Sequence, residues 1–245
     1  MNNMIKLISN IDIIDYDIKE SPYKYNEKNL PRVTEIISSM IHEDYLMNWA
    51  NYIGRYKHQN HNDVRDFSAT IGTYTHNAIE NYISNGIPLD INTVKPEYRN
   101  NVYNTYNSFL QWWNIILKND VEILMQEKSL VCPYFGGTLD LLLKINKRVF
   151  LFDFKTSNHP SYKYYLQMAA YIWILNNYYN IAIDGCGILM LNKNQLQFNE
   201  MVLDFNIPEH LEFINQCKEN FLSLVYSYYM KLNTENIYKN IFGGK

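Results

Sequence analysis

The spacing of apolar residues changes character once along the chain, near residue 120. Upstream it is helical: Ile71, Ala78, Ile79, Tyr82 and Ile83 share one face at three- and four-residue intervals, and Val102, Tyr103, Tyr106, Phe109, Leu110 and Trp113 repeat the pattern. Residues 34–118 are therefore predicted to be mainly helical, with a turn-rich loop over 86–96. Thr34 is placed to cap the first helix, whose opening turn carries Glu35. Residues 1–30 mix short apolar stretches with Asn, Ser and Pro and read as an N-terminal arm, flexible or docking, without a firm element. Downstream, residues 121–127, 139–144 and 148–155 are strand-like. A helix is expected over 160–178, strands near 181–191 and 196–203, and a last helix over 208–231. A chain of 245 residues, 47% apolar, can bury one substantial core but hardly two. The expected organisation is one domain over 31–245, helical in 31–118 and sheet-containing in 119–245.

Candidate chemistry concentrates in one hairpin. Strand signals flank Asn146-Lys147, and a two-residue loop there pairs Ile145 with Arg148. Carried forward, that register sets Asp140 opposite Asp153 and Thr138 opposite Lys155. It also puts Leu139, Leu141 and Leu143 against Phe154, Phe152 and Phe150 on the other face. Directly opposed Cβ atoms lie about 4.5–5.5 Å apart, where two carboxylates repel by ~3 kcal/mol at an effective dielectric of about 20. A divalent cation reverses that sign. Mg²⁺ or Mn²⁺ held by Asp140, Asp153 and the Phe154 carbonyl, with Lys155 on the same face to orient or help deprotonate a water, supplies the parts of phosphodiester hydrolysis. The competing reading is a solvated sheet face on which Lys155 is an ordinary ion-pair partner. Against it, both strands are nearly continuous apolar runs of the kind covered on both faces.

Composition narrows the partners. A net charge of -3 gives no global sign of nucleic-acid binding, so any contact with DNA has to be local. No stretch approaches the roughly 18 uninterrupted apolar residues of a membrane span, and the N-terminus lacks a secretory pattern. A soluble, intracellular protein without a membrane partner is expected. Cys132, Cys186 and Cys217 are far apart and form no CxxC pair, which predicts three free thiols rather than disulfides or a zinc site.

The constellation Gly137-Thr138-Leu139-Asp140, then Asp153-Phe154-Lys155, then Gln167-Met168-Ala169-Ala170-Tyr171 resembles the PD-(D/E)XK nuclease superfamily, in its RecB-like branch. Gly72-Thr73-Tyr74-Thr75-His76 matches the Gly-x-x-x-His helix of that branch, and with the Val33-Thr34 entry the likeness is greatest to mitochondrial genome maintenance and phage exonucleases. It spans roughly residues 31–203. The resemblance implies an α/β fold, a restriction-endonuclease-like mixed sheet flanked by helices, that hydrolyses DNA from single-stranded ends with Mg²⁺ or Mn²⁺ in replication, repair or recombination. A structure-specific or restriction-type endonuclease and a non-catalytic DNA-binding module are the alternatives. Two departures stand out: Arg32 replaces the usual Ser, and no Pro precedes Asp140. The four-cysteine iron–sulphur cluster of some relatives has no counterpart, so no such cluster is expected.

Supporting roles follow. His76 and Glu80 stand one turn apart on a helix, so His76 can ligate metal or touch phosphate while Glu80 orients it. Glu127 sits where relatives frequently bring an acidic residue to the metal. Gln167 and Tyr171, at i and i+4, can touch the scissile phosphate or position Lys155. Thr156 and Ser157 read either as phosphate contacts or as strand-end turn residues. For strand binding the candidates are Tyr134, Phe135, Tyr162 and Tyr164 with Arg55, Lys57 and Lys163.

Overall fold

The period change near residue 120 corresponds to a change from helices to sheet. In the computed structural model, which describes residues 18, 20–41, 44–58, 60–157 and 159–243, the elements run as follows. A short hairpin of β1 (Lys24–Tyr25) and β2 (Lys28–Asn29) precedes helices α1 (Val33–Met40), α2 (Asp44–Tyr56), α3 (His61–Asn85) and α4 (Arg99–Ile116). Then come strands β3 (Val121–Val131), β4 (Gly136–Ile145) and β5 (Arg148–Lys155), helix α5 (Tyr162–Tyr178), strands β6 (Gly185–Leu191) and β7 (Phe198–Asp204), and helix α6 (Pro208–Phe242). The fold is mixed α/β, and β3 to β7 form one five-stranded sheet in sequence order. Only β5 and β6 are parallel, joined through α5, and the other neighbours are antiparallel. Among the described residues, no helix is long and apolar enough to cross a membrane.

The β4–β5 hairpin forms in the expected register. Asn146 and Lys147 both take positive φ, 49° and 70°, which a two-residue turn of matching twist requires. Ile145 pairs with Arg148, and the ladder continues to Leu141–Phe152. Beyond that pair strict alternation ends. Leu139 was expected to share a face with Leu141 and Leu143, but it packs instead with Leu142 and Leu151. The strand is free to turn there because its pairing with β5 has stopped.

Helices cover both faces of the sheet. α1, α5 and α6 bury Leu142, Leu151, Cys186 and Ile188 on one side. On the other, Ala78 and Ile79 of α3 and Phe109, Trp112 and Trp113 of α4 pack over Leu141, Leu143, Phe152 and Phe154. Double burial accounts for the uninterrupted apolar runs of the central strands. All three cysteines are buried free thiols.

Several boundaries differ from expectation for local reasons. Thr34 is not the cap of α1: the N-cap is Arg32, whose side chain has no acceptor, and the Glu35 carboxylate accepts its backbone N–H instead. α5 begins two residues after Pro160, capped by Ser161. β6 begins at Gly185 because Ile181 is held by the end of α5 through its N–H to the Leu175 carbonyl. The 86–96 link contains a 3-10 turn at Ile91–Thr93, and a second begins at Pro96. α6 runs past residue 231 to Phe242, because no Pro or Gly intervenes until Gly243 ends it in the left-handed region. Of the expected arm, residues 1–17 and 19 lie outside the described residues. Residues 20–30 are docked, with Leu30 buried and the Tyr23 hydroxyl 2.9 Å from Thr138 Oγ1.

Two outcomes follow from this packing. Phe109 is fully buried between Trp113 and Phe154, so Phe109→Ala should lower unfolding free energy by about 3–5 kcal/mol in urea titration, whereas Tyr103→Ala on the exposed face of α4 should change it by about 0.5 kcal/mol or less. The Arg148 guanidinium, hydrogen-bonded to Asp204 at 2.9 Å, holds that carboxyl down at about 2. A depressed carboxyl contributes stability above its unfolded pKa and loses it as pH falls through the folded one. The gap in melting temperature between the wild type and Asp204→Asn should therefore be constant near neutral pH and shrink as pH falls from about 4 towards 2.

Candidate metal centre

The site lies where β4 parts from β5, covered by α3. Three elements converge there. From α3, His76 donates through Nε2 to the Phe154 carbonyl at 3.1 Å, which turns Nδ1 towards Glu127 Oε1 at 3.4 Å and Asp140 Oδ2 at 3.8 Å. From β4, Asp140 accepts the Phe154 N–H at 2.6 Å, so the same peptide segment fixes both the carboxylate and the imidazole. From β3, Glu127 faces Asp140 between the pairs Gln126–Leu141 and Lys128–Leu139. Its backbone is left-handed, φ 42°, an unusual state for a non-glycine residue inside a strand and one found at functional sites. One ligand atom from each of His76, Glu127 and Asp140 lies within 4.8 Å of the other two.

Beside this group stands the pair Asp153 and Lys155. Asp153 is 1% exposed, and Lys155 Nζ lies 2.7 Å from its Oδ2, outside hydrogen-bond alignment. Asp153 Oδ1 has no hydrogen-bond partner among the described residues. A buried carboxylate oxygen left in this state is costly, and a cation or a proton is what would satisfy it. The Lys155 ammonium also donates to Gln167 Oε1 at 3.1 Å and lies 5.2 Å from the Tyr164 ring centroid. Gln167 in turn donates through Nε2 to the Tyr171 hydroxyl at 3.1 Å. Tyr171 is held against Gly137, where an added Cβ would come within 2.5 Å of its ring.

The electrostatics follow from burying three carboxylates together. Desolvation raises Asp153 to about 6, partly offset by Lys155, and raises Asp140 as well against the pull of His76 and Lys155. Burial disfavours the charged form of His76, but Asp140, Glu127 and Asp153 outweigh it and lift the imidazole to about 9. Burial likewise opposes the Lys155 ammonium, and Asp153 and Asp140 again prevail and raise its pKa. Lys155 is thus held as a cation, a donor rather than a base.

The structure corrects several expected roles. The donors that converge are His76, Glu127 and Asp140, all three expected near the metal; Asp153, also expected as a ligand, stands beside them, paired with Lys155 through Oδ2 and with Oδ1 unengaged. The Phe154 carbonyl, also expected as a ligand, is engaged by His76 and keeps one lone pair. Glu80 is exposed, and His76 is oriented by Phe154 and Glu127 rather than by Glu80. Tyr171 is buried and its hydroxyl accepts from Gln167, which in turn accepts from Lys155, the arrangement expected of the positioning alternative. Thr156 packs on α3, where a Cβ on Gly72 would lie 3.4 Å from its Oγ1, and Ser157 Oγ bonds the Tyr164 hydroxyl at 2.7 Å. Lys163 donates to the Ile41 carbonyl beyond the end of α1, so it braces a helix end. Phe135 is fully buried and cannot stack on a base, and Tyr134 packs against Trp173 in the core. Tyr162, Arg55 and Lys57 are exposed. Sequence reasoning missed Tyr23, which reaches Thr138 from the N-terminal hairpin; no periodic pattern marked it.

Comparison with known proteins adds little. No family model and no curated protein matches the chain. Among solved structures it is similar to one titled "Crystal structure of SSO0001", with 13% identity, a TM-score of 0.38, and coverage of 91% of this chain and 82% of that one. A likeness this distant identifies neither fold nor function.

The Gly137–Tyr171 contact yields a testable coupling. Gly137→Ala should cost about 1–3 kcal/mol through overpacking, and the same change in a Tyr171→Ala background should cost close to nothing further. Urea midpoints for the two single variants and the double variant measure this.

Proposed function

We propose that this protein is a metal-dependent deoxyribonuclease of the PD-(D/E)XK type, in its RecB-like branch, acting on single-stranded DNA from an end. The observation that carries the reading is the convergence of His76, Glu127 and Asp140 from three separate elements beside a buried Asp153–Lys155 pair. Two buried carboxylates and the half-buried Glu127 outnumber one imidazole and one ammonium, an accumulation of acids that packing alone does not favour. One nitrogen with carboxylate oxygens suits Mn²⁺ as well as Mg²⁺. The orphaned Asp153 oxygen fits a centre completed by a cation.

His76, Glu127 and Asp140 would hold the ion, with the free lone pair of the Phe154 carbonyl nearby. A bound divalent ion would supply Lewis acidity to a phosphoryl oxygen and lower the pKa of a water. The chain's own groups do the rest. Lys155, whose ammonium form Asp153 and Asp140 favour, donates to a phosphoryl oxygen as negative charge grows there. Gln167, braced by Tyr171, fixes the ammonium so that little reorganisation accompanies the reaction. Water oxygen bonds to phosphorus as one of its O–H bonds breaks and that proton passes to solvent, the ester P–O bond breaks, and the leaving oxygen takes a proton from solvent, so that a phosphate monoester and an alcohol result.

Digestion of end-labelled linear single strands, linear duplex and circular single strands, with Mn²⁺, Mg²⁺ or chelator, tests this directly. Linear single strands should be degraded with either metal, circles should survive, and chelator should abolish cutting. Lys155→Ala and Asp140→Asn should each lower turnover by about 10²–10³-fold or more. Cleavage of circles would make the enzyme an endonuclease. Failure to cut any substrate, or turnover unchanged in Lys155→Ala, overturns the nuclease reading.

A further inference from the structure

A second feature lies beyond the end of β5. A cavity of about 250 Å³ opens there between the start of α5 and the β6–β7 turn, with Ser157 in its wall. It is tied to the candidate centre by a short chain of contacts. Ser157 bonds the Tyr164 hydroxyl at 2.7 Å, and the ring of Tyr164 lies 5.2 Å from Lys155 Nζ. Two side chains, Ser157 and Tyr164, thus separate the cavity from the ammonium that would meet the scissile phosphate.

The lining specifies the chemistry of its occupant. Among the described residues it contains no charged side chain, although the site beside it is densely charged. Met190, Pro160 and Phe198 give it apolar surface, and Gln195, Gln197 and Asn199 contribute carboxamides. Those three amide side chains make no intramolecular hydrogen bond among the described residues and so are uncommitted, each offering donor and acceptor together. The turn that carries Gln195 and Gln197 is braced by hydrogen bonds, and Asn199 follows in β7. Asn192 Oδ1 accepts the N–H groups of Asn194 and Gln195, Asn101 and Asn104 both donate to the Lys193 carbonyl, and Lys193 Nζ bonds Ser68 of α3. A neutral lining of exposed carboxamides beside Met190, Pro160 and Phe198 has no cation with which to hold a phosphate. It suits a flat neutral group with donors and acceptors on its edge. Asn and Gln recognise nucleobases through such paired contacts.

We propose that this cavity is a base-binding subsite, which takes the unpaired nucleobase adjoining the scissile phosphate of a DNA strand. The inference rests on the nuclease reading and gives it a physical cause for single-strand preference: a base whose Watson–Crick edge meets these carboxamides cannot be paired. It also makes one nucleotide position unequal to the others in a strand otherwise bound through its backbone.

A single abasic nucleotide walked along a labelled single-stranded oligonucleotide tests this, in wild type and in Gln195→Ala/Gln197→Ala, which leaves the metal donors and Lys155 untouched. Cleavage is measured with Mn²⁺, and binding by fluorescence anisotropy with Ca²⁺ in its place. For wild type, cutting at one position relative to the abasic site should slow roughly ten-fold, the size of one lost paired base contact. In the double variant intact DNA should be slowed similarly and the abasic penalty should vanish. Equal rates on intact and abasic DNA in wild type, or a penalty that persists in the variant, overturn the subsite and leave the nuclease reading standing. If wild type cuts nothing, the nuclease reading fails. Anisotropy then decides the cavity: an intact-over-abasic preference that the variant loses sustains it, and no preference overturns it.

Discussion

Buried like charge is the constraint around which this structure is arranged. Asp140, Asp153 and Glu127 come together at the point where two strands of a doubly covered sheet part company. Burying one unpaired carboxylate costs several kcal/mol, and burying two against each other costs more. His76 and Lys155 are the local compensation, each driven towards its charged form by the acids around it despite desolvation. Even so one Asp153 oxygen is left without a hydrogen bond. A protein that needed only stability would fill this space with leucine.

The surrounding fold serves to hold those charges in place. The Phe154 peptide is a hinge for the whole centre: its N–H fixes Asp140 and its carbonyl fixes His76. Its ring, meanwhile, anchors the segment in the aromatic core under Phe109 and Trp112. Gln167 and Tyr171 steady Lys155 from the helix that follows β5, and Gly137 lets that helix approach closely. Strain is confined to Glu127, whose left-handed backbone swings its carboxylate into the group. Preorganisation of this kind costs stability and is recovered elsewhere, here by the two apolar layers on either side of the sheet.

Much of this was legible in the residues because the β4–β5 turn is specified locally. Asn146-Lys147 closes a tight hairpin whose register holds from Ile145–Arg148 to Leu141–Phe152; the expected pairs Asp140–Asp153 and Thr138–Lys155 lie past the end of that ladder, and Asp140 is held there by the Phe154 N–H instead. The helix pair Gln167 and Tyr171 was legible for the same reason, a fixed spacing on a regular element. What escaped were departures from regularity. Beyond the end of the β4–β5 ladder Leu139 lies on the opposite face from the one expected. Long-range docking escaped too. Tyr23 reaches Thr138 across more than a hundred residues, and Lys163 is used up by the end of α1 rather than left for a phosphate. The capping of α1 by a backbone-to-Glu35 contact, with an arginine where Thr34 looked suited, follows the same logic. Local propensity proposed a residue and tertiary packing chose its neighbour.

Anomalous diffraction from crystals equilibrated with Mn²⁺ addresses the central assignment without reference to activity. A single strong peak is expected with His76 nitrogen and oxygens of Asp140 and Glu127 at about 2.0–2.3 Å, coordination distances typical of small divalent ions. Crystals at saturating Mn²⁺ with no peak between these three side chains, or with manganese only at exposed acids elsewhere, would show that the cluster is not a metal centre.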